Sequence, residues 1–133
     1  MTSVFLIEDN PTLREIMIMS FDLIDEVTLC GDAGSGEEAL EKLATLVPDL
    51  ILVDGSLPGM CGTEFVRTVK RSRPELRCLF LSGRNEVEVV REALEAGACG
   101  YVVKGGRPTE LLKAITLSMN GERYVSPSVV GWE

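Results

Sequence analysis

The chain of 133 residues contains no histidine. A serine triad, a histidine general base and a phosphohistidine are therefore all excluded within it. Its four cysteines, at 30, 61, 78 and 99, include no Cys-x-x-Cys pair. Zinc and dithiol redox chemistry are not expected, and the thiols read as reduced and mostly packed. Positive charge is also scarce: 13 Lys and Arg against 21 Asp and Glu leave a net charge of −8. A uniformly acidic surface repels phosphate backbones, so this segment is not expected to bind nucleic acid by itself. No apolar run approaches the ~20 residues of a membrane span. The start, Met1-Thr2-Ser3, lacks the basic residues and long apolar stretch of a signal peptide. A cytoplasmic location with no membrane partner is expected.

What the chain does have is a core: 45% of its residues are hydrophobic, the composition of a globular domain rather than a disordered tract. The hydrophobic period alternates between strand-like and helix-like along its length. The run Leu50-Ile51-Leu52-Val53 is wholly apolar and ends in Asp54; Val4-Phe5-Leu6-Ile7 is similar and ends in Glu8-Asp9. Both read as strands buried on two faces. Asn10 can cap a first helix with Pro11 at its first position, and Leu13, Ile16, Met17, Phe21 and Ile24 are expected on one face. Val27, Leu29 and Gly31 alternate with Glu26, Thr28 and Cys30, as in a strand exposed on one side.

Ser35 and Glu38 form a candidate capping box. It opens a helix with Ala39, Leu40, Leu43 and Ala44 inward, Val47 near its end and Pro48 as its stop. A third helix carries Phe65, Val66 and Val69. Cys78 to Leu81 is a fourth strand ending in Ser82, and Tyr101 to Val103 a fifth ending in Lys104. A helix between them runs from about Asn85 to Ala96, its valines spread over more than one face. A last helix begins near Pro108 and stops at Gly121.

Alternating strands and helices with short loops imply a doubly wound α/β domain, a flavodoxin-like (βα)5 unit with a parallel sheet covered on both faces. The half-exposed second strand suits an edge, and the order 2-1-3-4-5 places strands 1 and 3 side by side at the switch point. Glu8, Asp9 and Asp54 then converge, and Ser82 and Lys104 arrive from strands 4 and 5. Each residue alone has a plainer reading: Asp9 as a charge favouring a helix start, Ser82 as a helix cap, Lys104 as a surface lysine. Jointly those readings require chance to place acid, acid, hydroxyl and lysine at four strand ends. Three clustered carboxylates either raise their pKa values or bind a hard cation, and Mg2+ (or Mn2+) suits such oxygen donors. A carboxylate beside such a cation can attack phosphorus, while Lys104, Ser82 and turn N–H groups face the transferring oxygens.

The ordered set Ile7-Glu8-Asp9-Asn10, Val53-Asp54 with Leu57-Pro58-Gly59, Leu81-Ser82-Gly83 and Gly100-Tyr101-Val102-Val103-Lys104 resembles the receiver domain of bacterial two-component response regulators. The segment 97–106 and the ending Asn120 to Pro127 resemble the NarL/FixJ subfamily, whose receivers precede a LuxR-type DNA-binding domain. The resemblance implies Asp54 as phospho-acceptor and Asp9 as direct metal ligand. It implies Glu8 as a second acid acting largely through water and the Ser56 backbone carbonyl as a further ligand. Ser82 and Lys104 match the phosphate-facing hydroxyl and lysine. Ser82 and Tyr101 match the switch pair, with Tyr101 turning inward when the hydroxyl moves to the phosphoryl oxygens and the helix 4–strand 5–helix 5 surface changing in response. Implied partners are a sensor histidine kinase, a second copy of the chain on phosphorylation, and DNA only through a C-terminal effector domain. The chain would be no enzyme beyond its own phosphorylation and dephosphorylation.

Residues 1–121 are expected to form the receiver and 122–133 a tail or the start of a linker. Three residues depart from the family pattern. Gly55 replaces an aliphatic residue after the acceptor, Gly105 replaces a proline after the lysine, and Arg84 is a long cation two positions beyond Ser82. A haloacid-dehalogenase-type phosphatase would need an acid at position 56, which is serine. A flavodoxin-like cofactor binder would need a phosphate cradle where Glu8-Asp9 repel phosphate.

Overall fold

A computed structural model describes residues 1–133, the side chain of Pro108 excepted. Six strands, β1 (Thr2–Ile7), β2 (Val27–Ala33), β3 (Leu50–Asp54), β4 (Arg77–Ser82), β5 (Gly100–Val103) and β6 (Tyr124–Val125), form one sheet in the order β2-β1-β3-β4-β5-β6. Every pairing is parallel. Five helices, α1 (Pro11–Phe21), α2 (Gly36–Leu43), α3 (Gly62–Ser72), α4 (Val87–Ala96) and α5 (Pro108–Met119), cover it on both faces. Among the described residues, no helix is long and apolar enough to cross a membrane.

The two-residue period of a strand divides the core. Phe5, Ile7, Ile51 and Val53 pack with α2, α3 and α4, whereas Val4, Leu6, Leu50 and Leu52 pack with α1 and α5. Each fully buried aliphatic side chain contributes about 1.5–3 kcal/mol. Both faces of β1 and β3 are filled this way, which holds these strands rigidly in the core. The carboxylates at their ends inherit that rigidity.

Local chemistry explains most element boundaries. Asn10 Oδ1 accepts the Leu13 N–H at 3.1 Å, with Pro11 opening α1. Ser35 Oγ accepts the Glu38 N–H at 3.1 Å, and Glu38 Oε1 reaches back to the Gly34 N–H at 2.9 Å. This is the capping box shifted by one residue, since the acid reaches past its cap.

Four expectations are corrected. Helix α1 ends at Phe21, so its inward stripe is Leu13, Met17 and Phe21; Ile16 is 53% exposed and Ile24 lies past the helix. Helix α2 stops at Leu43, leaving Ala44 exposed and Val47 83% exposed. Arg73 donates to the Leu43 and Leu46 carbonyls at 3.0 and 3.2 Å, which satisfies that helix end before Pro48 is reached. In β2, the register slips between Val4 and Phe5, so Leu29 pairs with Val4 but Gly31 pairs with Phe5. The extra residue, Cys30, turns the strand over: Val27 and Leu29 join one core layer and Ala33 the other. Simple alternation through Gly31 therefore fails.

The fourth correction is β6. Five strands were expected, but Tyr124–Val125 adds a sixth beside β5, pairing with Gly100 and Tyr101. Position 100 has to be glycine for this: a Cβ there would lie 2.5 Å from the Tyr124 carbonyl oxygen, a backbone atom with no room to move. Gly100→Ala should detach β6 and lower stability by about 1–3 kcal/mol, the usual cost of overpacking. Amide exchange at Ser126 would accelerate in that variant; unchanged exchange there would refute the steric argument.

Candidate functional site

The carboxyl ends of β1, β3, β4 and β5 bring the expected residues to one place. Glu8 and Asp54 are buried to 2% and 3% exposure, while Asp9 is exposed at the mouth. One carboxylate oxygen from each of the three lies within 4.8 Å of the others. Lys104 Nζ sits 3.4 Å from both Glu8 Oε1 and Asp54 Oδ1. That is long for a charge-assisted hydrogen bond, so the ammonium bridges the two carboxylates electrostatically. Ser56, in the turn after β3, donates its N–H to Asp54 Oδ1 at 3.0 Å.

Burial pushes the Glu8 carboxyl up to about 7, and the neighbouring Asp54 adds to the shift. Burial also opposes ionisation of Asp54, but the Glu8 carboxyl, the Ser56 N–H and the Lys104 cation outweigh it and hold Asp54 below its ordinary value. The two neighbouring acids are thus pushed apart, Asp54 toward its ionised form and Glu8 toward its protonated one. Two buried acids that cannot both ionise at low pH, open to water on the Asp9 side, suit a small divalent cation. The donors are all hard oxygens, so Mg2+ or Mn2+ fits the cluster of Glu8, Asp9 and Asp54.

Ser82 is buried, and its Oγ accepts the Arg84 N–H at 3.2 Å. The Arg84 carbonyl in turn accepts the Tyr101 hydroxyl at 2.8 Å. One residue's backbone therefore links the two members of the expected switch pair. Tyr101 was expected to turn inward only on phosphorylation. Here the ring is already inside, fully buried and stacked on Phe80 at 6.0 Å between centroids. The cavity beside Phe80 accepts the ring with Ser82 in its present position.

The three departures acquire physical meaning. A Cβ at Gly55 would lie 3.1 Å from Ser82 Oγ, so glycine leaves the hydroxyl uncrowded. Gly105 adopts φ 92°, and no described peptide bond is cis. The Arg84 guanidinium is exposed and pairs with Glu86 at 3.2 Å.

Two contributors escaped the sequence reading. Arg14 Nη1 donates to the Glu8 carbonyl at 3.2 Å and Nε lies 3.8 Å from Asp32, tying down the bend that carries Glu8 and Asp9. Its signal was its place one helical turn after the Asn10 cap. Ser126 is the other: a buried hydroxyl that accepts the Val103 N–H at 2.8 Å, beside Lys104.

Residues 4–116 match the response regulator receiver domain family. The chain belongs to that family. Among curated relatives, the transcriptional activator protein ExaE of Pseudomonas putida is 42% identical over 92% of this chain and 57% of its own length. Response regulator GacA of Pseudomonas syringae pv. syringae is 35% identical over 97% and 60%. The nitrate/nitrite response regulator NarL of Escherichia coli K12 is 35% identical over 96% and 59%. The chain thus spans a little over half the length of these relatives. A LuxR-family two-component response regulator from Aurantimonas superposes with a TM-score of 0.92 at 29% identity, covering 96% of this chain and 91% of that one. As a receiver, the chain has the parallel (βα)5 architecture expected from its sequence, extended by β6.

Proposed function

We propose that Asp54 accepts a phosphoryl group from a phosphohistidine of a sensor histidine kinase, in a reaction that depends on Mg2+ or Mn2+. An Asp54 oxygen attacks phosphorus, the donor's P–N bond breaks, and the imidazole takes back the electron pair and a proton. A cation held by Glu8, Asp9, Asp54 and the Ser56 carbonyl would supply neutralising charge. Lys104 holds its ammonium beside Asp54, where charge gathers on the transferring oxygens. Ser82 offers its hydroxyl to those oxygens. The observation that supports this reading most is the Lys104 ammonium placed equally between Glu8 and Asp54.

On this reading the chain is a switch, not an enzyme with a free substrate: it makes and loses only its own acyl phosphate. A phosphatase reading lacks its acid, because Ser56 occupies the position and turns its N–H to Asp54. The output would be a change of the α4–β5–α5 surface, passed to a LuxR-type DNA-binding domain of a longer protein in the cytoplasm. RcsB, similar in structure at 25% identity, has been solved as two dimers bound to two parallel DNAs, and a phosphorylation-dependent dimer is proposed here as well.

Lys104→Ala tests the arrangement. The variant should retain metal binding while its phosphorylation by acetyl phosphate slows about 10²–10³-fold, the usual effect of removing one charge-stabilising donor. An unchanged rate would remove Lys104 from the transfer.

A further inference from the structure

The α4–β5–α5 face of this chain is not bare. Residues 124–132 run over it as a strap. Tyr124–Val125 pairs with β5, and the Ser126 N–H donates to the Tyr101 carbonyl at 3.0 Å. Ser126 Oγ takes the Val103 N–H and donates to Glu110 on α5 at 2.7 Å; the Tyr124 hydroxyl donates to the same carboxylate at 2.8 Å. Further along, Val129 is buried in the core layer that contains Tyr101, Phe80 and Val90, with Trp132 packed against it. Arg91 on α4 donates to the carbonyls of Gly131 and Trp132 at 2.6 and 3.3 Å. The strap therefore grips α4, β5 and α5 together.

It also brackets the switch residue. The backbone of Tyr101 is bonded to the strap on its carbonyl side, and its ring shares a core layer with Val129. Val129 and Trp132 pack in the core layer that holds the ring and Phe80, so a ring leaving its stack on Phe80 disturbs the packing of the strap. We propose that the strap, docked, holds Tyr101 inward, so that this chain's own residues 124–132 are the first occupant and the reader of the α4–β5–α5 face. The docked strap and the inward ring favour each other, and the factor by which occupancy of the acceptor tightens the strap equals the factor by which the docked strap tightens binding at the acceptor. A second copy or another partner reaching this face has to displace the strap.

The coupling to phosphorylation rests on the acceptor reading of Asp54, and the test separates the two. Magnesium and beryllofluoride are titrated into the full chain, with the Gly55 and Ser56 amide shifts reporting occupancy of the acceptor. Amide exchange at Ser126 and Val129 reports the strap. Beryllofluoride should slow that exchange about fivefold or more, the low end of ordinary coupling. Arg91→Ala, which removes an exposed side chain and no core packing, should speed the exchange and weaken beryllofluoride binding, by at most the factor by which beryllofluoride slows exchange in the parent chain. Saturating shifts at Gly55 and Ser56 with strap exchange and Arg91→Ala affinity unchanged would overturn the strap and leave the acceptor standing. Shifts absent from Gly55 and Ser56 would overturn the acceptor reading and the coupling with it. Strap exchange that speeds up on saturation would reverse the sign and overturn the clamp.

Discussion

Asp54→Asn reduces phosphorylation by acetyl phosphate or a histidine kinase to background. The side chain keeps its shape, so the fold persists; what goes is the carboxylate oxygen proposed to attack phosphorus. The structure sharpens this expectation. Asp54 is 3% exposed, and its ionised form is stabilised by the Glu8 carboxyl, the Ser56 N–H and Lys104. An amide at this position gives up those contacts to the ionised carboxylate, so thermal stability without metal at neutral pH should hold or fall slightly. The check is paired: incorporation of label under excess magnesium, and a melting curve of each protein. Label taken up by Asp54→Asn at the wild-type level would mean that another residue is the acceptor.

The second large effect is on pH. A cation entering between Glu8 and Asp54 has to displace the proton that burial keeps on Glu8 up to about pH 7. Magnesium affinity should therefore rise about tenfold per unit below pH 7 and level off above it, since each pKa unit is a factor of ten. Stability of the metal-free protein should run the other way. The folded-state pKa of Glu8 is raised above its ordinary value of 4.5, so ionising it costs stability between about pH 4.5 and 7. Asp54 acts oppositely, its lowered pKa contributing stability above about pH 4 that is lost on acidification. The metal-free chain should accordingly be most stable between these two ranges, and magnesium should restore stability at pH 7 and above. Glu8→Gln should flatten both profiles above pH 5. Calorimetric titration from pH 5.5 to 8 is decisive: a magnesium affinity that does not change across that range would contradict the buried proton.

The residues legible from sequence were those whose position follows from a strand end. Apolar lead-ins of four residues placed Glu8, Asp9 and Asp54, because a strand buried on both faces has little freedom in where it stops. Ser82 and Lys104 followed from the same rule on β4 and β5. What escaped depends on contacts distant in sequence. The Cys30 bulge answers to its pairing with Val4 and Phe5 of β1, distant in sequence, rather than to its own alternation. Helix α2 ends where Arg73 reaches it from the end of α3, and no local breaker marks that point. The docking of 124–132 needs Gly100 to clear its path and Glu110 to receive its hydroxyls, so the segment alone reads as a broken tail. The inward ring of Tyr101 was missed for a similar reason: its hydroxyl is held by a backbone carbonyl, which no side-chain pattern announces.

The central claim is that this site makes an acyl phosphate on one carboxylate. Reductive trapping tests it most directly. The chain is incubated with acetyl phosphate and magnesium and then treated with borohydride, which converts an aspartyl phosphate to homoserine. Peptide sequencing by mass spectrometry then locates the homoserine. The account predicts it at position 54, dependent on magnesium and strongly diminished in Lys104→Ala. Homoserine at Asp9 or elsewhere, or none despite saturating donor and metal, would contradict it.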